Sequence, residues 1–222
     1  TRLLEDWHEI IATNRSFGKV KEIESKGATG VESLEALVAQ LKSPRIIWVM
    51  VPAGDATQET IEALSALLEP GDLIIDGGNS YYKNSIILGD FLKKKQIHFL
   101  DIGVSGGIWG LKIGYCMMAG GDKNDFEKIE PALKTLAPKN GYAHVGPNGA
   151  GHFVKMIHNG IEYAMLQAYA EGFEIMASKK EFNLDLEKIS HLWDQGSVIR
   201  SWLLELAEGV FKEDPGLKSI KG

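Results

Sequence analysis

The chain has 222 residues, 44% of them apolar and 24% charged, which excludes an unstructured polyelectrolyte and fits one or two folded domains. Twenty-four basic against thirty acidic side chains leave a net charge of −6, which argues against a broad surface for nucleic acid or anionic lipid. A single cysteine, Cys116, excludes an internal disulfide and a CxxC metal site, and points to a reducing, cytoplasmic setting.

The opening residues, Thr1 to Trp7, lack the apolar core of a secretory leader. Leu3 and Leu4 read as the end of a helix, and His8–Thr13 as a short strand. Ser33 is placed to cap a helix through Leu41, with Leu34, Leu37, Val38 and Leu41 on one face. Pro44 closes that segment. Arg45–Val51 is almost uniformly apolar, as expected for a central parallel strand covered on both faces. Such runs are far shorter than the roughly 20 residues that span a bilayer. Asp55 and Gln58 form a capping-box pair ahead of a helix carrying Ile61, Leu64, Leu67 and Leu68, and Pro70-Gly71 stops it. Asp72–Asp76 reads as a strand, Ser85–Lys95 as a helix, His98–Ile102 and Tyr115–Ala119 as strands, and Asp125–Leu136 as a helix. This alternation implies an α/β fold with a doubly wound parallel sheet. Beyond Pro147 the pattern turns helical: Phe153, Met156, Ile157, Ile161, Met165 and Ala168 space one long helix over Gly149–Lys180, followed by Leu186–Trp193 and Ile199–Phe211. The expected division is 1–148 and 149–222. The helical part, about 75 residues, buries little alone and is expected to pack on the first domain or on another subunit.

Three segments are shaped for chemistry. Asp76-Gly77-Gly78-Asn79-Ser80 follows a strand, and ligands of open α/β sheets bind at strand carboxyl ends. Glycine lets the backbone approach a ligand, and Asn79 supplies both a donor and an acceptor; an ordinary Asp-Gly turn is the plainer reading. Gly103-Val104-Ser105-Gly106-Gly107 follows the next strand, where successive amides and the Ser105 hydroxyl can line an anion site. A flexible glycine loop is the plainer reading there. The same string matches G-x-S-x-G, but Ile108-Trp109-Gly110 is a poor helix start for a nucleophile elbow. On a helix, Lys155, Asn159 and Glu162 fall at i, i+4 and i+7, with His158 on the same side. A solvated polar face is the plainer reading, although Gly151 and Gly160 flank the stripe and suit close approach. His152 and His158 are six apart and no HxxxH or HExxH spacing occurs, so no metal site is expected.

Together, the segments 76–80, 103–107 and 149–163 resemble the decarboxylating 6-phosphogluconate dehydrogenases in order and separation. The resemblance covers nearly the whole chain, from Asn14-Arg15-Ser16 to Val198-Ile199-Arg200-Ser201. The related 3-hydroxyacid dehydrogenases share the architecture and a helix lysine but usually lack the continuation seen at His158–Tyr163. Ile108-Trp109-Gly110 departs from the paired acidic residues of the long-chain members and is similar to the shorter bacterial branch.

The resemblance implies a Rossmann-like dinucleotide-binding domain followed by a helical substrate and dimerisation domain. It implies oxidation of 6-phosphogluconate to ribulose 5-phosphate and carbon dioxide, a step of the pentose phosphate pathway. By matched motif, Lys155 is the general base for the 3-hydroxyl and Glu162 the acid that protonates carbon 1 of the enediol. Ser105, Gly106, Gly107, His158 and Asn159 orient the sugar acid, while Tyr163 and Arg200 hold the phosphate. The implied cofactor residues are Asn14, Arg15, Ser16, Val51, Pro52 and Ala53, with Asn79 bridging substrate and nicotinamide. An arginine at position 15 suits the 2′-phosphate of NADP where an acidic residue would suit NAD, so NADP is expected and NAD is the alternative. The implied partners are 6-phosphogluconate and further copies of the chain in a homodimer or higher homo-oligomer, with no nucleic acid, membrane or metal. Family members open with a strand and a GxGxxG loop that binds pyrophosphate. No GxGxxG occurs in this chain, and Thr1 is expected to fall in the helix just after that loop. Two other readings remain: a 3-hydroxyacid dehydrogenase acting on a smaller acid, and a non-catalytic homologue or fragment that keeps the fold.

Overall fold

A computed structural model describes residues 1–219. After a short helix α1 (Arg2–Glu5), strand β1 (Ile11–Ala12) leads through α2 (Phe17–Glu24) to β2 (Thr29–Gly30), and these two strands pair in parallel as a separate sheet. Helix α3 (Leu34–Gln40) precedes β3 (Ile46–Val49). Then come α4 (Asp55–Leu67), β4 (Leu73–Asp76), α5 (Tyr82–Lys94), β5 (His98–Ser105), the short α6 (Gly110–Ile113), β6 (Cys116–Gly121), α7 (Lys123–Leu136) and β7 (Tyr142–Gly146). Strands β3 to β7 form a five-stranded sheet in chain order.

The sheet is parallel except for β5–β6, which run antiparallel. This one pair departs from the all-parallel expectation. The link over 106–115 holds no full crossover helix, which a parallel return needs, so the chain turns back beside β5. Side chains alternate between two cores, as a sheet wound on both faces requires. Ile47, Val49, Ile74 and Phe99 pack with Leu37, Val38, Ile61, Leu64, Leu88 and Leu92 of α3, α4 and α5. Leu73, Ile75, Leu100 and Ile102 pack on the opposite face with Ile129 and Leu133 of α7.

Local chemistry sets the element ends. Ser33 Oγ accepts from the Ala36 N–H and caps α3, and Asp122 caps α7 by accepting from Asn124 N. The capping box expected at Asp55 and Gln58 does not form: Asp55 is the first residue of α4, and its N-cap is Gly54, at φ +94° with no side-chain cap. Among the described residues β3 pairs on one side only, with β4, and Ile46 is 46% exposed. Where β3 and β4 begin, buried Asp72 accepts from Arg45 N at 2.7 Å and Glu69 N at 2.9 Å and meets the Arg45 guanidinium at 2.9 Å. Burial alone would raise this carboxyl; the two N–H groups and the guanidinium outweigh it and hold it below the usual carboxylate value.

Residues Thr1–Ile157 form one compact unit and the residues from His158 onward a second. The long helix α8 (Ala150–Ser178) contributes residues 150–157 to the first. In the second, the rest of α8 packs with α9 (Leu186–Asp194) and α10 (Trp202–Glu213) around Phe173, Leu204 and Phe211. The apolar residues that space α8 are turned outward: Phe153, Met156, Ile157, Ile161 and Met165 are all exposed, and Lys155 is buried at 8% exposure. No helix among the described residues is long and apolar enough to cross a membrane.

Candidate active site

Three connections share the carboxyl edge of adjacent parallel strands. The register aligns Val49 of β3 with Asp76 of β4, and Asp76 with Asp101 of β5. Beyond Val49 the chain runs through Val51, Pro52 and Ala53 to Gly54, where a Cβ would meet nothing within 4 Å. Beyond Asp76 it runs through Gly77 and Gly78 to Asn79. A Cβ on Gly77 would collide with the Trp48 indole, so only glycine lets the loop lie there. Asp76 is buried; its Oδ1 accepts from Gly78 N at 3.0 Å and shapes the turn that presents Asn79. Among the described residues Asp76 Oδ2 and Ser80 Oγ are buried without a hydrogen-bond partner, and both residues line a small recess with Gly54, Thr57 and Asn84.

Strand β5 continues beyond Asp101 to Ser105, and Gly106 and Gly107 follow at φ +137° and +51°. Ser105 ends the strand, and a single 3-10 turn then leads through the four-residue α6 to antiparallel β6. This is not the sharp strand-to-long-helix turn of a nucleophile elbow.

Asp101, Gly103 and Ser105 lie at i, i+2 and i+4 on one face of β5, and α8 starts against that face. The Asp101 carboxylate is fully buried and accepts from Gly149 N at 2.6 Å and His152 N at 2.9 Å. It thereby satisfies donors at the helix start that no intrahelical carbonyl can reach. Contact between helix and sheet is close because the facing positions are glycines. A Cβ on Gly151 would clash with the Asp101 carbonyl and lie 2.5 Å from that of Met118; one on Gly120 would lie 2.7 Å from Gly151 N. A Cβ on Gly103 would clash with Lys155 Cβ. The lysine stem therefore lies directly on β5, two residues before Ser105. His152 is buried, with Nδ1 2.7 Å from Ser85 Oγ of α5.

Val51, Pro52, Ala53, Asn79, Ser105, Gly106, Gly107 and Lys155 thus belong to the first unit. Asn14, Arg15 and Ser16 lie in it too, after β1; Asn14 Oδ1 accepts from Ser16 N at 2.8 Å, and Ser16 is the N-cap residue of α2. The other candidates belong to the second unit. His158 Nδ1 is 3.3 Å from Asn159 Oδ1 and 3.6 Å from Glu162 Oε2. Tyr163 is 71% exposed. Arg200 lies in the link to α10, where Tyr169 donates to the Ile199 carbonyl and lies 2.8 Å from Ser201 Oγ. Asp101 escaped the sequence reading. Its one signal was a carboxylate inside the apolar run Phe99-Leu100-Asp101-Ile102, which must find donors once buried. Among the described residues no cluster of three His, Cys, Asp or Glu could hold a metal ion.

Residues 1–146 match the family profile described as the NAD binding domain of 6-phosphogluconate dehydrogenase, and residues 151–182 match that enzyme's C-terminal domain. This makes the chain an oxidoreductase with a domain for a nicotinamide dinucleotide. The Bacillus subtilis protein YqeC, which carries a provisional 6-phosphogluconate dehydrogenase name, is 44% identical over 97% of this chain and 72% of its own length. The NAD(+)-dependent, decarboxylating 6-phosphogluconate dehydrogenase of Haloferax volcanii is 40% identical over 96% of this chain and 70% of its own. The Plasmodium falciparum 6-phosphogluconate dehydrogenase, solved in apo form, with NADP+ and with 6-phosphogluconate, superposes at a TM-score of 0.86 and 31% identity, covering 94% of this chain and 47% of that one. The chain belongs to the 6-phosphogluconate dehydrogenase family. Its residues fit a nicotinamide dinucleotide: the 51–54 loop is open, α4 has no side-chain cap, and residues 13–17 carry an arginine and no carboxylate.

Proposed function

We propose that this protein oxidises and decarboxylates 6-phosphogluconate to ribulose 5-phosphate with NADP as acceptor, in the cytoplasm and as a homo-oligomer. The observation that carries the reading is that Lys155 is buried against Gly103, which lies two residues before Ser105 near the carboxyl end of β5. An ammonium or amine held against a strand end beside an amide-rich loop is suited to exchange a proton with a substrate hydroxyl.

In this reading Lys155 takes the proton of the substrate 3-hydroxyl as general base. The nicotinamide, when bound, supplies the acceptor for the hydride from carbon 3. Protonated Lys155 then polarises the new 3-ketone, and the carbon–carbon bond to the carboxylate breaks with that ketone taking the electron pair. Glu162 delivers the proton that carbon 1 needs as the enediol collapses. Ser105, Gly106, Gly107, His158 and Asn159 orient the sugar acid, and Asn79 bridges it to the cofactor. Tyr163 and Arg200 hold the phosphate, where a planar guanidinium matches two oxygens. Val51, Pro52 and Ala53 would lie along the nicotinamide, and Asn14, Arg15 and Ser16 would hold the 2′-phosphate. The absence of a carboxylate in residues 13–17 supports NADP over NAD. The outward apolar face of α8 supports assembly with further copies.

The test is cofactor reduction by the protein with 6-phosphogluconate, NADP and NAD in parallel, with carbon dioxide release followed in the same reactions. Reduction of NADP with stoichiometric carbon dioxide is expected. Reduction without carbon dioxide would move the assignment to a 3-hydroxyacid dehydrogenase. No reduction with either cofactor would make the chain a non-catalytic homologue or fragment that keeps the fold.

A further inference from the structure

We propose that Asp101 is a positioning residue that sets where Lys155 stands, a role that rests on the reading of Lys155 as the base. Four features of the fold converge on it. Asp101 is a carboxylate at 0% exposure inside an apolar strand, and a charge there persists only with strong compensation. Its compensation is the start of α8: Oδ1 takes Gly149 N and Oδ2 takes His152 N, at the positive end of a 29-residue helix.

An ordinary cap comes from the residue just before its helix and fixes only that local turn. This cap comes from another element, so it fixes the helix against β5. His152 is three residues before Lys155, one helical turn away, so the anchor and the lysine share a face. Asp101 and Gly103 are likewise two apart on one face of β5. The carboxylate holds the helix at one point, the glycine receives the lysine stem at the next, and Ser105 follows. The backbone adds a second constraint, because Gly151 packs directly on the Asp101 carbonyl. The side chain and carbonyl of a single residue therefore define both where α8 begins and how close it lies.

Asp101→Asn tests this. Asparagine keeps one acceptor and turns an N–H donor toward a backbone N–H, so the first turn of α8 loses one anchor. A shift of about 1 Å in a reacting group costs on the order of 10²-fold in rate. The expected result is a loss of that size in kcat with KM for 6-phosphogluconate within about threefold, because uniform binding is untouched. Lys155→Met is then expected to be epistatic, with Asp101→Asn adding less than about twofold to its loss, as residues acting through one group are not additive. A kcat within about threefold of wild type, or losses that multiply in the double variant, would overturn the proposal.

If Asp101→Asn does not fold, Asp101→Glu keeps both acceptors but displaces them by a methylene, and the same kcat-selective loss is expected. The substrate reading fails separately, through absence of wild-type turnover. In that case Lys155 acetylation by acetic anhydride, located by mass spectrometry against Lys93 and Lys94, needs no substrate. A faster relative rate in the variant supports the positioning role, and an unchanged rate overturns it.

Discussion

Replacing Gly103 by alanine perturbs the lysine site through one methyl group. In the present backbone the new Cβ would lie 2.8 Å from the Gly151 carbonyl oxygen and 3.0 Å from Lys155 Cγ, and closer still to Lys155 Cβ. Real Cβ atoms essentially never lie within 3.0 Å of such atoms, so α8 and β5 must separate locally. The clash with Lys155 Cβ asks for more. Rotamer change gives no relief, since Cβ is fixed by the backbone and the Gly151 carbonyl belongs to the helix ladder. Overpacking of this kind costs about 1–3 kcal/mol. At roughly 2–4 °C per kcal/mol for a chain of this size, the thermal midpoint should fall by about 2–12 °C. The same withdrawal carries the Lys155 amine with it, and a displacement approaching 1 Å should lower kcat by about 10²-fold. KM should change little, because Ser105, Gly106 and Gly107 remain on β5 and its following turn. The assay is steady-state cofactor reduction beside a thermal melt, at a temperature where the variant is fully folded. A lowered midpoint with kcat within about threefold of wild type would refute the reasoning, since the seam would have opened without disturbing the proposed base.

Lys155→Met should reduce kcat by about 10²–10⁴-fold while cofactor binding, followed by nicotinamide fluorescence, persists; turnover near wild type would remove the base role. Glu162→Gln should lower turnover by about 10²-fold with substrate binding retained, and an unchanged rate would remove its acid role. Arg15→Asp should shift the NADP-to-NAD ratio of kcat/KM toward NAD by about 10–100-fold, the worth of a charge-assisted phosphate contact; a constant ratio would sink the 2′-phosphate assignment. Asp72→Asn concerns stability alone. The folded carboxyl lies below its ordinary value, so its contribution is present above about pH 4 and is lost as pH falls through the folded value. The variant should melt below wild type at neutral pH, with the gap closing in acid, and a gap independent of pH would refute the linkage.

The sequence made the sheet legible where short apolar runs stand between turn signals, as at Ile46–Val49 and Leu73–Asp76. It left the two-residue strands β1 and β2 either overextended or unread, because two residues carry no period. The position of the glycine loops was legible because each follows a strand, and the sheet register places both loops at one edge. Periodicity located α8 but left open which of its faces turns inward. Phe153, Met156 and Ile157 form the apolar stripe that a helix normally buries, yet they are exposed and Lys155 is buried. The reason is a contact across the chain. Gly103, Gly120 and Gly151 let α8 lie on β5 and β6 closer than any side chain would allow, and Asp101 fixes which turn of the helix meets them. Apolar side chains at helical spacing decide which side turns inward only when the other side offers nothing stronger. Here the other side offers two hydrogen bonds from buried backbone donors to a carboxylate and a glycine seam, and the apolar face is left pointing outward.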